Sequence, residues 1–168
     1  MSDVLVYGVL CPEGQEREAA YELLALAVQR EYSISPLPKI EREMGGKPYF
    51  PGCTHIHFNI SHSRGCALCA LHGEPVGVDV ERLRPAPRRL AAGMGDEAFF
   101  RLWTAREATV KREGRGWTAL LQDAAPDGAC VHLPKDFLPG CVACVCPSVP
   151  AAIRAVRVDV GELIGRDR

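Results

Sequence analysis

Residues 3–10 read Asp-Val-Leu-Val-Tyr-Gly-Val-Leu, a run rich in β-branched and aromatic side chains that predicts a first strand, closed by Cys11-Pro12-Glu13-Gly14. The period then lengthens. Ala20, Leu24, Ala27, Val28 and Glu31 fall at helical spacing and predict a helix over 16–32, which Pro36 and Pro38 end. A short strand is expected over 40–44, followed by a loop at Gly45-Gly46-Lys47-Pro48-Tyr49. Residues 55–60 and 66–71 read as strands joined by a turn at 61–65, and a tight connection at 72–75 leads to a strand at 76–81. Pro85 and Pro87, among Arg82, Arg84, Arg88 and Arg89, mark an irregular basic connection. A second helix is predicted over 97–113 and stopped by Gly114 and Gly116. Strands near 129–133, 141–146 and 152–159 and a short helix from Val160 complete the chain. Strand, helix and strands thus occur twice in succession. This predicts an α+β fold of two similar lobes in a pseudo-twofold arrangement, residues 1–75 and 76–168, forming one compact unit with a site at the seam.

Composition narrows the class. A chain of 168 residues, 47% apolar and 24% charged, is that of an ordinary globular domain with a sizeable core. A net charge of −1 argues against a nucleic-acid binder. No apolar run is long enough to span a bilayer, and Met-Ser-Asp does not open a secretory signal, so the chain reads as cytoplasmic. Two C-x-x-C pairs, Cys66/Cys69 and Cys141/Cys144, have the spacing of a zinc site. Both lie in continuous apolar runs, however, where residues i and i+3 point to opposite faces of a strand. Core cysteines are therefore expected, with a disulfide framework the least favoured reading.

The chemistry is concentrated in three segments. In Gly77-Val78-Asp79-Val80-Glu81, valines alternate with Gly77, Asp79 and Glu81, placing two carboxylates side by side on one face. Two like charges so close need a compensating cation or hydrogen bonds. A hard divalent ion is one answer, with Gly77 leaving room for a ligand; an exposed acidic edge is the plain alternative. In the second helix Trp103, Glu107 and Lys111 are four apart and share a side. Glu107 there could add an oxygen ligand, and Arg106 and Lys111 could meet phosphate, or Glu107 and Lys111 form only a surface pair. Phe58-Asn59-Ile60-Ser61-His62-Ser63 presents hydroxyls and an imidazole suited to phosphate contact. Adjacent Ser61 and His62 diverge, which argues against a hydrolase nucleophile–base pair.

In this order, Gly46-Lys47-Pro48, Asn59 to Ser63, Gly77 to Glu81, and Trp103 to Lys111 with its glycine end resemble the 4'-phosphopantetheinyl transferase superfamily, in a short variant of its larger two-lobe type. The resemblance is strong over 45–117 and holds in outline on the flanks. It implies a holo-carrier-protein synthase that moves the phosphopantetheine arm of coenzyme A onto a serine of an acyl or peptidyl carrier protein. Fatty-acid, polyketide or nonribosomal-peptide synthesis would be served. It implies Asp79, Glu81 and Glu107 as magnesium ligands, and Lys47, Ser61 and His62 at the nucleotide end, His62 at the 3'-phosphate. Arg106 and Lys111 would meet the diphosphate. Lys111 would stabilise or protonate the leaving 3',5'-ADP, and Glu107, directly or through a water it orients, would take the proton of the carrier serine. Arg17 is the nearest match for a basic residue expected on the first helix. Apart from the resemblance, two lobes in one chain suit a monomer, and neither nucleic acid nor a membrane is expected as a partner.

The connection over 82–98 is shorter than is usual in the family, and its arginines suit either an acidic carrier helix or solvent. A catalytically inactive member that binds coenzyme A or a carrier is the alternative; a magnesium-dependent phosphohydrolase is a more distant one.

Overall fold

The structure is a computed structural model that describes residues 3–115 and 126–163. Gly116, expected at the second helix end, lies outside them. The fold is α+β, built as four layers: a helix, a four-stranded sheet, a three-stranded sheet and a second helix.

In the first sheet, β1 (Val4–Leu10) lies between β5 (Cys66–His72) and β9 (Ile153–Val158), with β4 (His57–Ser63) at the far edge beyond β5. β1 is antiparallel to β5 and parallel to β9. The 75/76 boundary falls between the two sheets, yet the chain returns across it, because β9 joins the first sheet. On one face α1 (Glu16–Tyr32) buries Leu23, Leu24, Ala27 and Val28 against Tyr7, Val9, Phe58, Cys69 and Leu71. Glu31, the polar member of its stripe, accepts from the Tyr7 hydroxyl and is paired with Arg154 of β9. On the other face Val4, Val6, Cys66, Leu68 and Ala70 pack on Val76, Val78, Val80, Cys141, Ala143 and Val145 of the second sheet. That sheet has the order β6 (Val76–Arg82), β8 (Cys141–Pro147), β7 (Val131–His132).

β5 and β8 are buried on both faces, which explains their uninterrupted apolar sequences. Cys66 and Cys69 enter different cores, as do Cys141 and Cys144, in agreement with strand alternation. Two cysteines depart from expectation: Cys130 and Cys146 are joined in a disulfide. The register explains it. Val131 pairs with Val145 and His132 with Cys144, so the next residues outward, Cys130 and Cys146, stand directly opposite.

The outer layer is α3 (Asp96–Glu113), with Asp96 and Glu97 in its first turn and Lys111 and Arg112 in its last, each complementing the helix dipole. Gly114, at φ 67°, caps it. Its small residues Ala105 and Ala108 face Cys144 and Cys146. The helix approaches β6 closely at Gly77, where a Cβ would lie 2.0 Å from the Ala108 carbonyl oxygen and 2.5 Å from the Arg112 nitrogen. The space that Gly77 leaves is thus taken by α3, not by a ligand.

Four further local expectations change. Pro48 and Tyr49 are not loop but β3 (Pro48–Tyr49), paired with β2 (Glu41–Arg42) in a small hairpin whose tip abuts Gly114. The basic connection contains a single-turn helix, α2 (Arg88–Ala91), and the helix expected from Val160 is a 3-10 turn, Val160–Glu162. Ser61, His62 and Ser63 are not a turn: β4 runs through Ser63, which pairs with Cys66, and only Arg64 and Gly65 turn.

Overpacking at a backbone contact typically costs 1–3 kcal/mol and more where nothing can yield. Gly77→Ala is therefore expected to lower unfolding free energy by about 3 kcal/mol or more. Gly52→Ala, where no atom lies within 4 Å, serves as control, and urea denaturation of both checks the difference.

Candidate active site

β4 and β6 are edge strands of different sheets, and they meet through side chains. The β4 residues facing the second sheet are Asn59, Ser61 and Ser63. Asn59 Oδ1 accepts from the Val78 N–H at 2.9 Å, Ser61 Oγ from Val80 N–H at 3.3 Å, and Ser63 Oγ from Arg82 N–H at 3.4 Å. The two hydroxyls then donate to the carboxylates of the same strand, Ser61 to Asp79 Oδ1 at 2.7 Å and Ser63 to Glu81 Oε2 at 2.8 Å.

Because α3 lies on Gly77, its last turns pass over Asp79. Lys111 Nζ stands 2.6 Å from Asp79 Oδ1, 3.0 Å from Ser61 Oγ and 3.4 Å from Glu107 Oε2. Glu81 is paired instead with Arg84 at 2.7 Å. Asp79 is 3% exposed, and its Oδ2 is buried with no hydrogen-bond partner among the described residues. Such an oxygen carries a desolvation cost of about 1–3 kcal/mol. Glu107 and Lys111 open onto a cleft of about 340 Å³ that is also lined by Tyr21, Arg42, Lys47 and Arg115.

No family model matches the chain. Over 133 residues it is 35% identical to the 4'-phosphopantetheinyl transferase AcpT of Escherichia coli O157:H7, with 67% of each chain covered. The chain belongs to the 4'-phosphopantetheinyl transferase family. Other relatives carry the same name: Sfp of Bacillus subtilis strain 168 is 29% identical over 158 residues, covering 83% of this chain and 67% of the relative. Another Bacillus subtilis 4'-phosphopantetheinyl transferase is 28% identical over 111 residues; that match covers 56% of this chain and only 50% of the relative's length.

The residues singled out by the family's motifs fall in three places. Ser61, Asp79, Glu107 and Lys111 touch one another, with Glu81 next on the Asp79 face. Lys47 lines the same cleft, but its ammonium donates to the Arg112 carbonyl at 2.6 Å, tying the β2–β3 hairpin to the end of α3. Arg17 and His62 are exposed outside the cleft lining. Arg17 is one turn before the lining residue Tyr21 on α1 and His62 two residues after the lining residue Ile60, while Glu16 accepts from the Gly65 N–H at 2.8 Å. Arg106 sits half-buried on α3, with its Nε buried and without a hydrogen-bond partner among the described residues.

Sequence reading missed Tyr21, Arg42 and Arg115 on the cleft, and Arg84 on Glu81. It also missed the shared role of Asn59 and Ser63, although their spacing of two from Ser61 was there to read.

Among the described residues no three His, Cys, Asp or Glu side chains converge as a ligand group; Lys111 stands between Asp79 and Glu107. The donor set nonetheless fits a hard divalent cation: it is all oxygen, and Asp79 Oδ2 has no hydrogen-bond partner among the described residues.

Burial pushes the Asp79 carboxyl up against the pull of Lys111 and Ser61. Burial, then the Asp79 charge, pushes the Glu107 carboxyl up to about 7. Burial opposes the charge on Lys111, but Asp79 and Glu107 outweigh it and hold the ammonium above its ordinary range.

The sign for Glu107 follows from linkage. A carboxyl raised from about 4.5 to about 7 is comfortable when neutral, so its contribution to stability is complete below 4.5 and lost as pH rises through 7. Glu107→Gln keeps the neutral form at all pH. In chelator, its stability relative to wild type should therefore rise between pH 4.5 and 8, by an amount on the order of 1–3 kcal/mol, read from urea midpoints.

Proposed function

We propose that the chain transfers the phosphopantetheine arm of coenzyme A to the serine of an acyl or peptidyl carrier protein and releases 3',5'-ADP, with magnesium as its resident cation. The observation that carries this reading is the Ser61–Asp79–Lys111–Glu107 cluster, whose Lys111 and Glu107 line a cleft that also holds Lys47, in a chain of this family.

Phosphoryl transfer asks for positioning and charge neutralisation more than for covalent chemistry. Magnesium held by Asp79, Glu81 and Glu107 would supply neutralisation at the diphosphate. The chain's own groups do the rest. Lys47, Arg42 and Arg115 give the cleft a basic lining suited to nucleotide phosphates. Lys111 is held protonated, the form that can meet a phosphate oxygen or give a proton to departing 3',5'-ADP. Glu107, raised to about 7 in the cation-free site, is the carboxylate that would take the proton of a serine hydroxyl, directly or through a water it orients. In the transfer the serine Oγ–phosphorus bond forms as the diphosphate P–O bond breaks, with the serine proton passing to Glu107.

The segment after β6 suits the acidic helix of a carrier. Arg88 and Arg89 are exposed there, beside exposed Leu90 and Met94. Charge of this kind chiefly speeds encounter and weakens with salt.

One observation favours a second reading, a binding protein without transfer: Lys111 and Arg84 already compensate Asp79 and Glu81. Intact-mass measurement decides between the two after incubation with coenzyme A, magnesium and an apo carrier protein. The transferase reading expects the carrier to gain one phosphopantetheine, at a rate lowered at least about a hundredfold by Asp79→Ala or Glu107→Ala. Tight coenzyme A binding with no transfer to any carrier supports the binding protein. Phosphate release without a carrier supports a phosphohydrolase.

A further inference from the structure

We infer that Asn59, Ser61 and Ser63 form a single positioning device, in which alternate side chains of β4 fix the height of β6 and hold Asp79 and Glu81 with a chosen oxygen tied back. The inference rests on the metal site proposed above.

Its geometry follows from two matching periods. Side chains on one face of a strand repeat every two residues, roughly 6.8 Å, and so do the N–H groups along one edge of a neighbouring strand. β6 is an edge of its sheet, so the N–H groups of Val78, Val80 and Arg82 find no backbone partner on that side. Asn59, Ser61 and Ser63 accept them one by one.

The residue types then differ as the rungs require. Beside Asn59 lies Gly77, with no carboxylate, and an amide oxygen is enough. Beside Ser61 and Ser63 lie Asp79 and Glu81, and a hydroxyl can accept from the strand and donate to the carboxylate at once. Ser61 uses its full capacity: it accepts from Val80 N–H and Lys111 Nζ and donates to Asp79 Oδ1. No capacity is left for a nucleotide phosphate. With Oδ1 occupied by Ser61 and Lys111, Asp79 Oδ2 is left with no hydrogen-bond partner among the described residues. Partners that orient a metal-binding carboxylate commonly change metal affinity 10–100-fold when lost.

The test measures Mn2+ affinity by calorimetry and, separately, coenzyme A affinity in EDTA, for wild type, Ser61→Ala, Ser63→Ala and Ser63→Thr, each checked by circular dichroism. The expected result is Mn2+ binding about tenfold or more weaker in both alanine variants and restored by Ser63→Thr, with coenzyme A affinity in EDTA unchanged in the Ser63 variants. Should Ser61→Ala fail to fold, the Ser63 pair decides alone. Unchanged Mn2+ affinity in the folded alanine variants overturns the inference while leaving the metal site standing. Loss of coenzyme A affinity in EDTA in the Ser63 variants overturns it too, by assigning that hydroxyl to the nucleotide. Absence of Mn2+ binding by the wild type defeats the metal reading and the inference together.

Discussion

β4 and β6 carry the edges of two sheets past one another without sharing a backbone ladder, and three polar side chains close the gap. An unsatisfied buried N–H costs about 1–3 kcal/mol, so three in a row would be a heavy charge on a fold whose whole stability is about 5–15 kcal/mol. The seam also admits only one register. A slip of one residue in β4 would turn Phe58, Ile60 and His62 toward β6 and bury three polar side chains under α1. Register therefore fixes which carboxylates stand beside which hydroxyls. Gly77, one rung away, lets α3 settle on β6, and that contact carries Glu107 and Lys111 over Asp79. Sheet packing, helix packing and the acidic cluster are consequences of one seam.

Electrostatics then decides the cluster's state. At an effective dielectric of 20, two unit charges 4 Å apart interact by about 4 kcal/mol, which is too much to leave unanswered. Lys111 answers Asp79 at 2.6 Å and reaches Glu107 at 3.4 Å, so one ammonium serves two carboxylates. The shortfall falls on Glu107, whose carboxyl rises to about 7. A group poised there can change protonation near neutral pH at little cost, which is what proton transfer requires. Its poise comes from burial and from Asp79, both of which the fold fixes.

Much of this was legible in the sequence where one periodicity prevailed. The α1 stripe, the alternation in β6 and the doubly buried runs of β5 and β8 all follow from spacing, as does the separation of Cys66 from Cys69. What escaped needed partners distant in sequence. Ser61-His62-Ser63 looked like a turn because polar clusters usually are; here the serines face a seam and the histidine faces solvent. Gly77 looked like room for a ligand because the sequence does not show that α3 packs there. The Cys130–Cys146 bond depends on the register of β7 with β8, and a two-residue strand leaves little trace of its register in the sequence.

The basic connection after β6 shows the same limit in its charges. In sequence, Arg82, Arg84, Arg88 and Arg89 form one patch. In the fold they divide. Arg82 turns toward β8, donating to the Pro139 carbonyl at 3.3 Å and to Cys141 Sγ at 3.7 Å. Arg84 turns inward, pairing with Glu81 and lying 4.6 Å above the Phe100 ring of α3. Only Arg88 and Arg89 are left exposed, on α2, with Leu90 and Met94 beside them. A partner's acidic face would thus meet two charges and an apolar ridge rather than four charges. Arg84, between that ridge and Glu81, ties the segment to the acidic strand, as the Ala86 N–H ties it to Asp96 at the start of α3.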